Sequence, residues 1–434
     1  MEFGYYCKNC ANILKNMRRR SIPVTFIIVA ALVLIELGAF LGGYLLLQDI
    51  GKQRFLKYFE AIYWTETAIV FVILLSIPRA LRKRDNVKRT YYAFQGAGVL
   101  MADLLPKLLF TLFVIISLIV QGGFMLLNHF ILHLSQTRLD LLYLLLIGGI
   151  LGIVLLSIII RGIIIGRFDF RVIKQILHFE NLPKAFDGLR IVQISDMHIG
   201  SFYNHQDEIQ EAIDLINSLN PDLILFTGDM VNNTAEETRG WKELFLQLKS
   251  SMGMYSILGN HDYGDYVRWP SEDTKKKNLE DLLSFEKAAG FDMLLNENRI
   301  LEKGGEKIAL IGVENWGNPP FAQYGYLPGA MKGTEDIPFR ILLSHDPSHW
   351  DEEVAEKTNI DLTLSGHTHG MQFGIIIGKW KWSPVQWRYD RWHGLYRHNK
   401  QCLYVNRGLG HIGFPGRVGM LPEITLIELK KQIS

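Results

Sequence analysis

The sequence predicts an N-terminal four-helix transmembrane region followed by an α/β domain. Two observations carry that prediction. The first 165 residues of the 434-residue chain contain four long apolar runs, each near the roughly 20 residues a helix needs to cross a bilayer core. After them, short β-branched runs alternate with polar segments of helical period, the pattern of strands and helices in one α/β domain.

Taken in order, residues 1–22 read as a cytoplasmic tail and 23–165 as the transmembrane region. The spans fall at about 23–47, 61–78, 108–128 and 140–160. The first is too long for a cleavable signal peptide, and three more follow it. Arg18-Arg19-Arg20 lacks the continuation of a twin-arginine export signal. Lys and Arg in the flanks set orientation. Lys8, Lys15, Arg18, Arg19 and Arg20 precede the first span, and Lys52, Arg54 and Lys57 follow it. The second connection carries Arg79, Arg82, Lys83, Arg84, Lys88, Arg89 and Lys107, and the third only Arg138. Arg161, Arg167, Arg171 and Lys174 follow the last span. Heavy and light sides alternate, which places both termini, and with them the α/β domain, on the cytoplasmic side. Glu36 and Glu66 lie inside or at the edge of spans. With no basic partner evident there, they read as protonated or interface-facing rather than as a transport pathway.

A net charge of +2 gives no ground for expecting a nucleic-acid partner. Three cysteines, Cys7, Cys10 and Cys402, make no disulfide framework. Cys7-Lys-Asn-Cys10 has the spacing of half a zinc site, but no second pair completes four ligands.

Residues 166–188 read as a linker in which Phe168–Val172 can add an edge strand, and 189–434 as the α/β domain. Buried-strand runs follow at Leu189–Ile194, Leu223–Phe226, Met254–Leu258, Ile308–Val313, Ile341–Leu343, Asp361–Leu364, Leu403–Val405 and Ile424–Leu429. Helical patterns cover about 206–218, 236–250, 273–289 and 350–357, and the insertion Tyr263–Phe291 reads as a charged surface helix or lid.

Five short motifs sit where strands should end: Asp196-Met197-His198, Gly228-Asp229, Gly259-Asn260-His261-Asp262, Ser344-His345-Asp346 and Gly366-His367-Thr368-His369. Asp196 and His198, two apart, share one side of an extended loop. Gly228 lets the backbone approach a metal closely, and Asp229 is central enough to bridge two cations. Asn260 adds a neutral carbonyl ligand. His367 and His369 can reach different metals, and His345 completes the second site. Mixed imidazole and carboxylate ligands suit two divalent ions such as Mn, Fe or Zn. A pair about 4 Å apart activates a hydroxide for in-line attack on phosphorus. His261 is left to protonate the leaving oxygen, with Asp262 fixing its tautomer. His205, His349, His393, His398 and His411 read as satisfied polar residues. Arg407 suits a phosphate or a structural ion pair, and Asn232 and Asn233 suit the site or a helix cap.

This series resembles the signature of the calcineurin-like metallophosphoesterases, and the closing stretch from Asn406-Arg407-Gly408 to Pro422-Glu423-Ile424 resembles a membrane-attached bacterial subgroup. The resemblance implies a four-layer α/β/β/α sandwich over residues 189–430. It implies Asp196, His198, Asp229 and His369 at one metal, and Asp229, Asn260, His345 and His367 at the other, with His261 as general acid. Met371 departs from the subgroup's usual Gly in GHTHGGQ. The implied activity is hydrolysis of a phosphate ester or pyrophosphate, on a small or lipid-linked substrate such as UDP-diacylglucosamine. A phosphate sensor or scaffold is the alternative, which an intact His261 disfavours. A transporter with a regulatory domain would need more polar spans. Finally, Lys379–Arg397 holds Trp380, Trp382, Trp387 and Trp392, four of nine tryptophans, among basic residues. That composition suits membrane lipid and equally suits a hairpin completing the domain's own core.

Overall fold

The computed structural model describes residues 27–135, 139–378 and 380–432. Cys7, Cys10, the basic tail, Arg138 and Lys379 lie outside them. Four helices are long and apolar enough to span a bilayer, with mean hydropathy from 1.7 to 2.8. They are α1 (Ile27–Asp49), α2 (Leu56–Ala80), α3 (Val87–Leu127) and α4 (Leu142–Ile164). The chain divides into two compact units. One comprises the described residues up to Leu74 with Val99–Ile159; the other joins Leu75–Gly98 to everything from Ile160 onward.

α3 starts at Val87, not near 108, because a mixed polar stretch continues the helix ahead of its apolar core. Lys107 is therefore inside a helix rather than in a loop, and it is the basic partner that Glu36 and Glu66 were expected to lack. Its Nζ lies 3.1 Å from Glu36, 2.8 Å from Glu66 and 2.7 Å from Asp103. Tyr63 and Thr67 donate to Glu36 at 2.9 and 3.0 Å. Ionised groups in apolar surroundings persist when paired and hydrogen-bonded in this way.

In the second unit the order is β1 (Arg171–Phe179), β2 (Arg190–Ile194), α5 (Gln206–Ser218), β3 (Leu223–Phe226), α6 (Lys242–Phe245), β4 (Met254–Ser256), α7 (Glu272–Ala288), β5 (Asp292–Met293), β6 (Glu297–Lys303), β7 (Glu306–Gly312), α8 (Leu327–Met331), β8 (Arg340–Leu343) and β9 (Leu362–Ser365). Then come β10 (Ile375–Ile377), β11 (Trp380–Trp382), β12 (Gly394–His398), β13 (Gln401–Val405) and β14 (Glu423–Lys431). Two six-stranded sheets form, ordered β1-β14-β2-β3-β4-β5 and β12-β13-β9-β8-β7-β6. β2, β3 and β4 are parallel neighbours in one sheet, as are β7, β8 and β9 in the other.

Three cores make the four layers. Leu223, Leu225 and Ile427 of one sheet meet Leu310, Ile341 and Leu364 of the other. The opposite face of the first sheet packs Val192, Ile224 and Phe226 on Ile209, Ile213 and Leu282 of α5 and α7. The second sheet packs Leu342 and Leu403 on Leu327, Trp350 and Val354. β3, β8 and β9 are covered on both faces and buried at every residue, and β3 carries the continuous apolar run expected of such a strand.

Three details differ from the sequence reading. Residues 171–179, inside the expected linker, form a nine-residue strand parallel to β14. Of the two readings of Tyr263–Phe291, α7 is the charged surface helix and not a lid: Leu282 and Glu286 anchor it with full burial, and Ser271 caps it by accepting from the Thr274 N–H at 3.2 Å. The helical pattern at 236–250 resolves into a short turn, Ala235–Thr238, and α6.

Candidate metal centre

All five motifs lie just beyond the carboxyl ends of parallel strands, the usual ligand edge of α/β sheets. β2, β3 and β4 lead into Asp196 and His198, Asp229, and Asn260 with His261; β8 and β9 lead into His345 and into His367 and His369. One sheet supplies four of the expected ligands and the other three, so the site straddles both.

Asp196, His198 and His369 converge in one cluster, and Asp229, His345 and His367 in another. His198 Nε2 lies 3.1 Å from His369 Nε2, which lies 3.2 Å from Asp196 Oδ1. His345 Nε2 lies 3.2 Å from His367 Nδ1. Asp229 Oδ2 stands between the clusters, 3.5 Å from His198 and 3.2 Å from His345. Asn260 is buried, and among the described residues its Oδ1 has no hydrogen-bond partner. A buried acceptor without a donor carries a desolvation penalty that a cation would relieve. Donor identity, convergence and this orphaned oxygen fit two divalent ions.

The imidazoles are aimed by their other nitrogens, as metal-binding histidines generally are. His198 Nδ1 meets the Val231 carbonyl at 3.1 Å, and His345 Nδ1 meets that of Thr227 at 2.7 Å. His367 Nε2 meets the Tyr389 hydroxyl at 2.7 Å. Burial alone would raise the Asp229 carboxyl, but His345, His261 and His198 hold it well below its usual range. Burial opposes charge on His345 as well, yet Asp229 outweighs it and pushes that imidazole up to about 10. Burial lowers His198, His261 and His367.

The loops reach this arrangement through strained backbone. Asp196, His198, Asp229, His367 and His369 have φ of 48°, 43°, 62°, 71° and 50°. Asp196 and His198 are thus left-handed rather than extended, contrary to the spacing argument, because the chain turns sharply after β2. A Cβ on Gly366 would strike the Asp196 carboxylate and the Ser195 hydroxyl, so that residue must be glycine for the motifs to approach. Met371 stands at φ 53° with its side chain exposed, a conformation glycine adopts without strain.

The expected partnership of His261 with Asp262 is absent. His261 Nδ1 faces the Asn232 carbonyl at 2.7 Å. Asp262 instead accepts N–H bonds from Asp229, Met230 and Gly259, each at 2.8 Å, and from Val231 at 3.3 Å. Its carboxylate organises the loop that carries Asp229. Arg407 makes a buried ion pair with Glu423 at 2.6 Å, not a free phosphate contact. The Asn232 and Asn233 N–H groups donate to Glu237, whose own turn is capped by Thr234.

Three neighbours escaped sequence reading. Tyr389 backs His367; Tyr266 accepts from Asn260 Nδ2 at 2.8 Å; and buried Arg417 donates to the Arg407 carbonyl at 2.8 Å and reaches His369 Nδ1 at 3.0 Å. Tyr266 lay four residues past the GNHD motif, a weak signal. Tyr389 lies in the Trp-rich segment and Arg417 in the closing stretch, where nothing in the local pattern aims either side chain at the site.

Residues 189–371 match a family model described as calcineurin-like phosphoesterase. The uncharacterized metallophosphoesterase YkuE of Bacillus subtilis (strain 168) is 33% identical over 258 residues, covering 57% of this chain and 82% of the relative. A transmembrane protein with metallophosphoesterase domain from Danio rerio is 28% identical over 292 residues, 65% of this chain and 62% of that protein. An uncharacterized metallophosphoesterase of Helicobacter pylori (strain J99 / ATCC 700824) is 30% identical over 257 residues, 57% of this chain and 61% of the relative. The chain thus spans about three-fifths of the length of the last two.

Proposed function

This chain belongs to the calcineurin-like phosphoesterase family and is a metal-dependent phosphohydrolase of membrane-protein type, and from that premise we propose that it cleaves a phosphate ester or pyrophosphate of an amphiphilic, lipid-linked substrate such as UDP-diacylglucosamine. The observation that carries the site is the pair of ligand clusters joined through Asp229. Asp196, His198, Asp229 and His369 are assigned to one ion, and Asp229, Asn260, His345 and His367 to the other. When bound, two divalent ions supply Lewis-acid polarisation of the phosphoryl oxygens and a lowered water pKa.

The chain's own groups divide the remaining work. The Asn232 carbonyl holds the His261 Nδ1 proton, leaving Nε2 to serve the leaving oxygen. That transfer needs the imidazolium, and burial disfavours it while Asp229 favours it. Asp262 fixes four backbone N–H groups and so sets where Asp229 stands. The alternation of basic flanks supports a cytoplasmic-facing domain at a bacterial inner membrane.

Amphiphile access is supported by the β10–β11 hairpin. Ile375, Ile376, Ile377 and Trp380 are exposed on it, and Trp387 beyond it is 77% exposed. Trp392, by contrast, is buried beside Val385 and Met420, so the tryptophans divide between core and surface.

The test uses the full chain in nanodiscs with Mn²⁺, Zn²⁺ or Fe²⁺. Bis-p-nitrophenyl phosphate, UDP-diacylglucosamine and lipid phosphates form the panel, with Asp229→Asn and His261→Ala as controls. Metal-dependent turnover abolished by Asp229→Asn is expected. A wild-type protein without such turnover favours the sensor reading.

A further inference from the structure

A cavity of about 360 Å³ opens next to the metal centre. Arg82, Arg84 and Asp85, which follow the end of α2, line it together with Tyr266 and Arg268 of the GNHD loop, and Leu81 adds an apolar wall. Tyr266 connects the cavity to the site, since its hydroxyl takes the Asn260 Nδ2 hydrogen bond at 2.8 Å and its ring lies 4.6 Å from that of His261. Three guanidinium groups face one carboxylate, and among the described residues none of the three arginines forms a salt bridge. The neighbouring Asp265 does not relieve them, being held by Lys275 at 2.6 Å.

A basic stretch after a span is ordinarily a topology signal facing solvent. Two facts set this one apart. Arg84 is half-buried, and Arg268 arrives from a segment more than 180 residues away in sequence. Convergence of three forked cations from separate segments on a cavity with a single carboxylate, Asp85, leaves an excess of positive charge, the arrangement that recognises phosphate oxygens.

We infer that this cavity is a second anion subsite, and that the substrate carries two phosphate groups: one reacts at the metals while Arg82, Arg84 and Arg268 hold the other. The inference rests on the phosphohydrolase reading above and narrows its substrate class to pyrophosphates or bisphosphorylated amphiphiles. A phospholipid headgroup of the bilayer offers the same phosphate chemistry, so the test separates the two sources.

Full-length protein and its R82Q/R84Q/R268Q variant are compared in phosphatidylcholine nanodiscs. The loss in kcat/KM is expected to be at least tenfold larger for UDP-diacylglucosamine than for bis-p-nitrophenyl phosphate, which has one phosphate, and to appear in KM. Binding of inorganic pyrophosphate to metal-stripped protein, read by calorimetry, is expected to weaken at least tenfold in the variant. The single Arg268→Gln change, at an exposed loop position, must move both readouts the same way, which guards against misfolding of the triple variant. Equal losses on both substrates, or unchanged pyrophosphate binding, overturns the inference. Competition by added phosphatidylglycerol against pyrophosphate in the wild type assigns the cavity to bilayer lipid and also overturns it. Arginine-dependent pyrophosphate binding in a wild type without metal-dependent turnover supports the anion subsite and overturns the hydrolase reading, so the two failures are distinct.

Discussion

Five of the seven expected metal ligands stand in left-handed backbone, each at a cost of about 1 kcal/mol or more. Such strain persists only where surrounding bonds over-determine it. Here the His367 N–H donates to both Asp196 oxygens at 3.0 Å, and the His261 N–H donates to Asp229 at 2.8 Å. Two predictions belong to single residues. His345 is pushed up to about 10, above the ordinary imidazole value, so without metal its proton stabilises the fold fully below pH about 6.5 and that contribution disappears as pH rises through 10. A ligand must shed that proton, so Mn²⁺ uptake at pH 7 should release about one proton. Calorimetry in buffers of different ionisation enthalpy measures it, and release near zero contradicts the assignment of His345. His261→Ala should slow esters of poorly acidic alcohols by about 10²–10³-fold. The loss on bis-p-nitrophenyl phosphate, whose leaving group needs no proton, should be far smaller. Equal losses on both would remove His261 from the acid role.

At the scale of elements, the motifs are legible because each follows a short, mostly apolar strand; β3, Leu-Ile-Leu-Phe throughout, matches its predicted bounds residue for residue. Elements without such runs were not. β6 and β12 are half-exposed edge strands whose polar residues pair only through tertiary neighbours. The β10–β11 hairpin is exposed at Ile375, Ile376, Ile377 and Trp380, an apolar patch of the kind that marks a contact surface, and the proposed lipid access makes a prediction there. Replacing Trp380 and Trp387 with Ser should reduce turnover of lipid-linked substrate by about tenfold and leave soluble diester hydrolysis within twofold. A matched loss in both assays refutes a lipid-access role. Among the apolar helices, Lys107→Met strands three carboxylates. Breaking a buried ion network by removing one partner destabilises by roughly 3–5 kcal/mol, so a lower unfolding temperature is expected. Glu36→Gln combined with it should recover part of the loss, and an unchanged melting temperature in the single variant would show the network to be dispensable.

For the whole molecule, the boundary between membrane region and enzyme does not fall at residue 165. Residues 75–98 belong to the same compact unit as the catalytic sheets. Tyr91 lies 3.3 Å from His205 Nε2 and packs on Tyr203, and a side chain on Gly98 would strike Pro415. A chain beginning near 165 should therefore unfold several degrees below the full-length protein, by differential scanning fluorimetry of both in the same detergent. An identical midpoint would show that 75–98 adds nothing to the catalytic unit.

Sequence by itself determined the apolar helices, the α/β class and the motifs whose Asp and His residues converge, because each is written in local periodicity or in residue types that few other chemistries need together. It could not reveal that Asn232 rather than Asp262 orients His261, that Lys107 joins Glu36 and Glu66, or that Arg82 and Arg84 meet Arg268. Those pairings link residues tens to hundreds of positions apart, and only the closing of sheets and helices on one another brings them within hydrogen-bonding or electrostatic range.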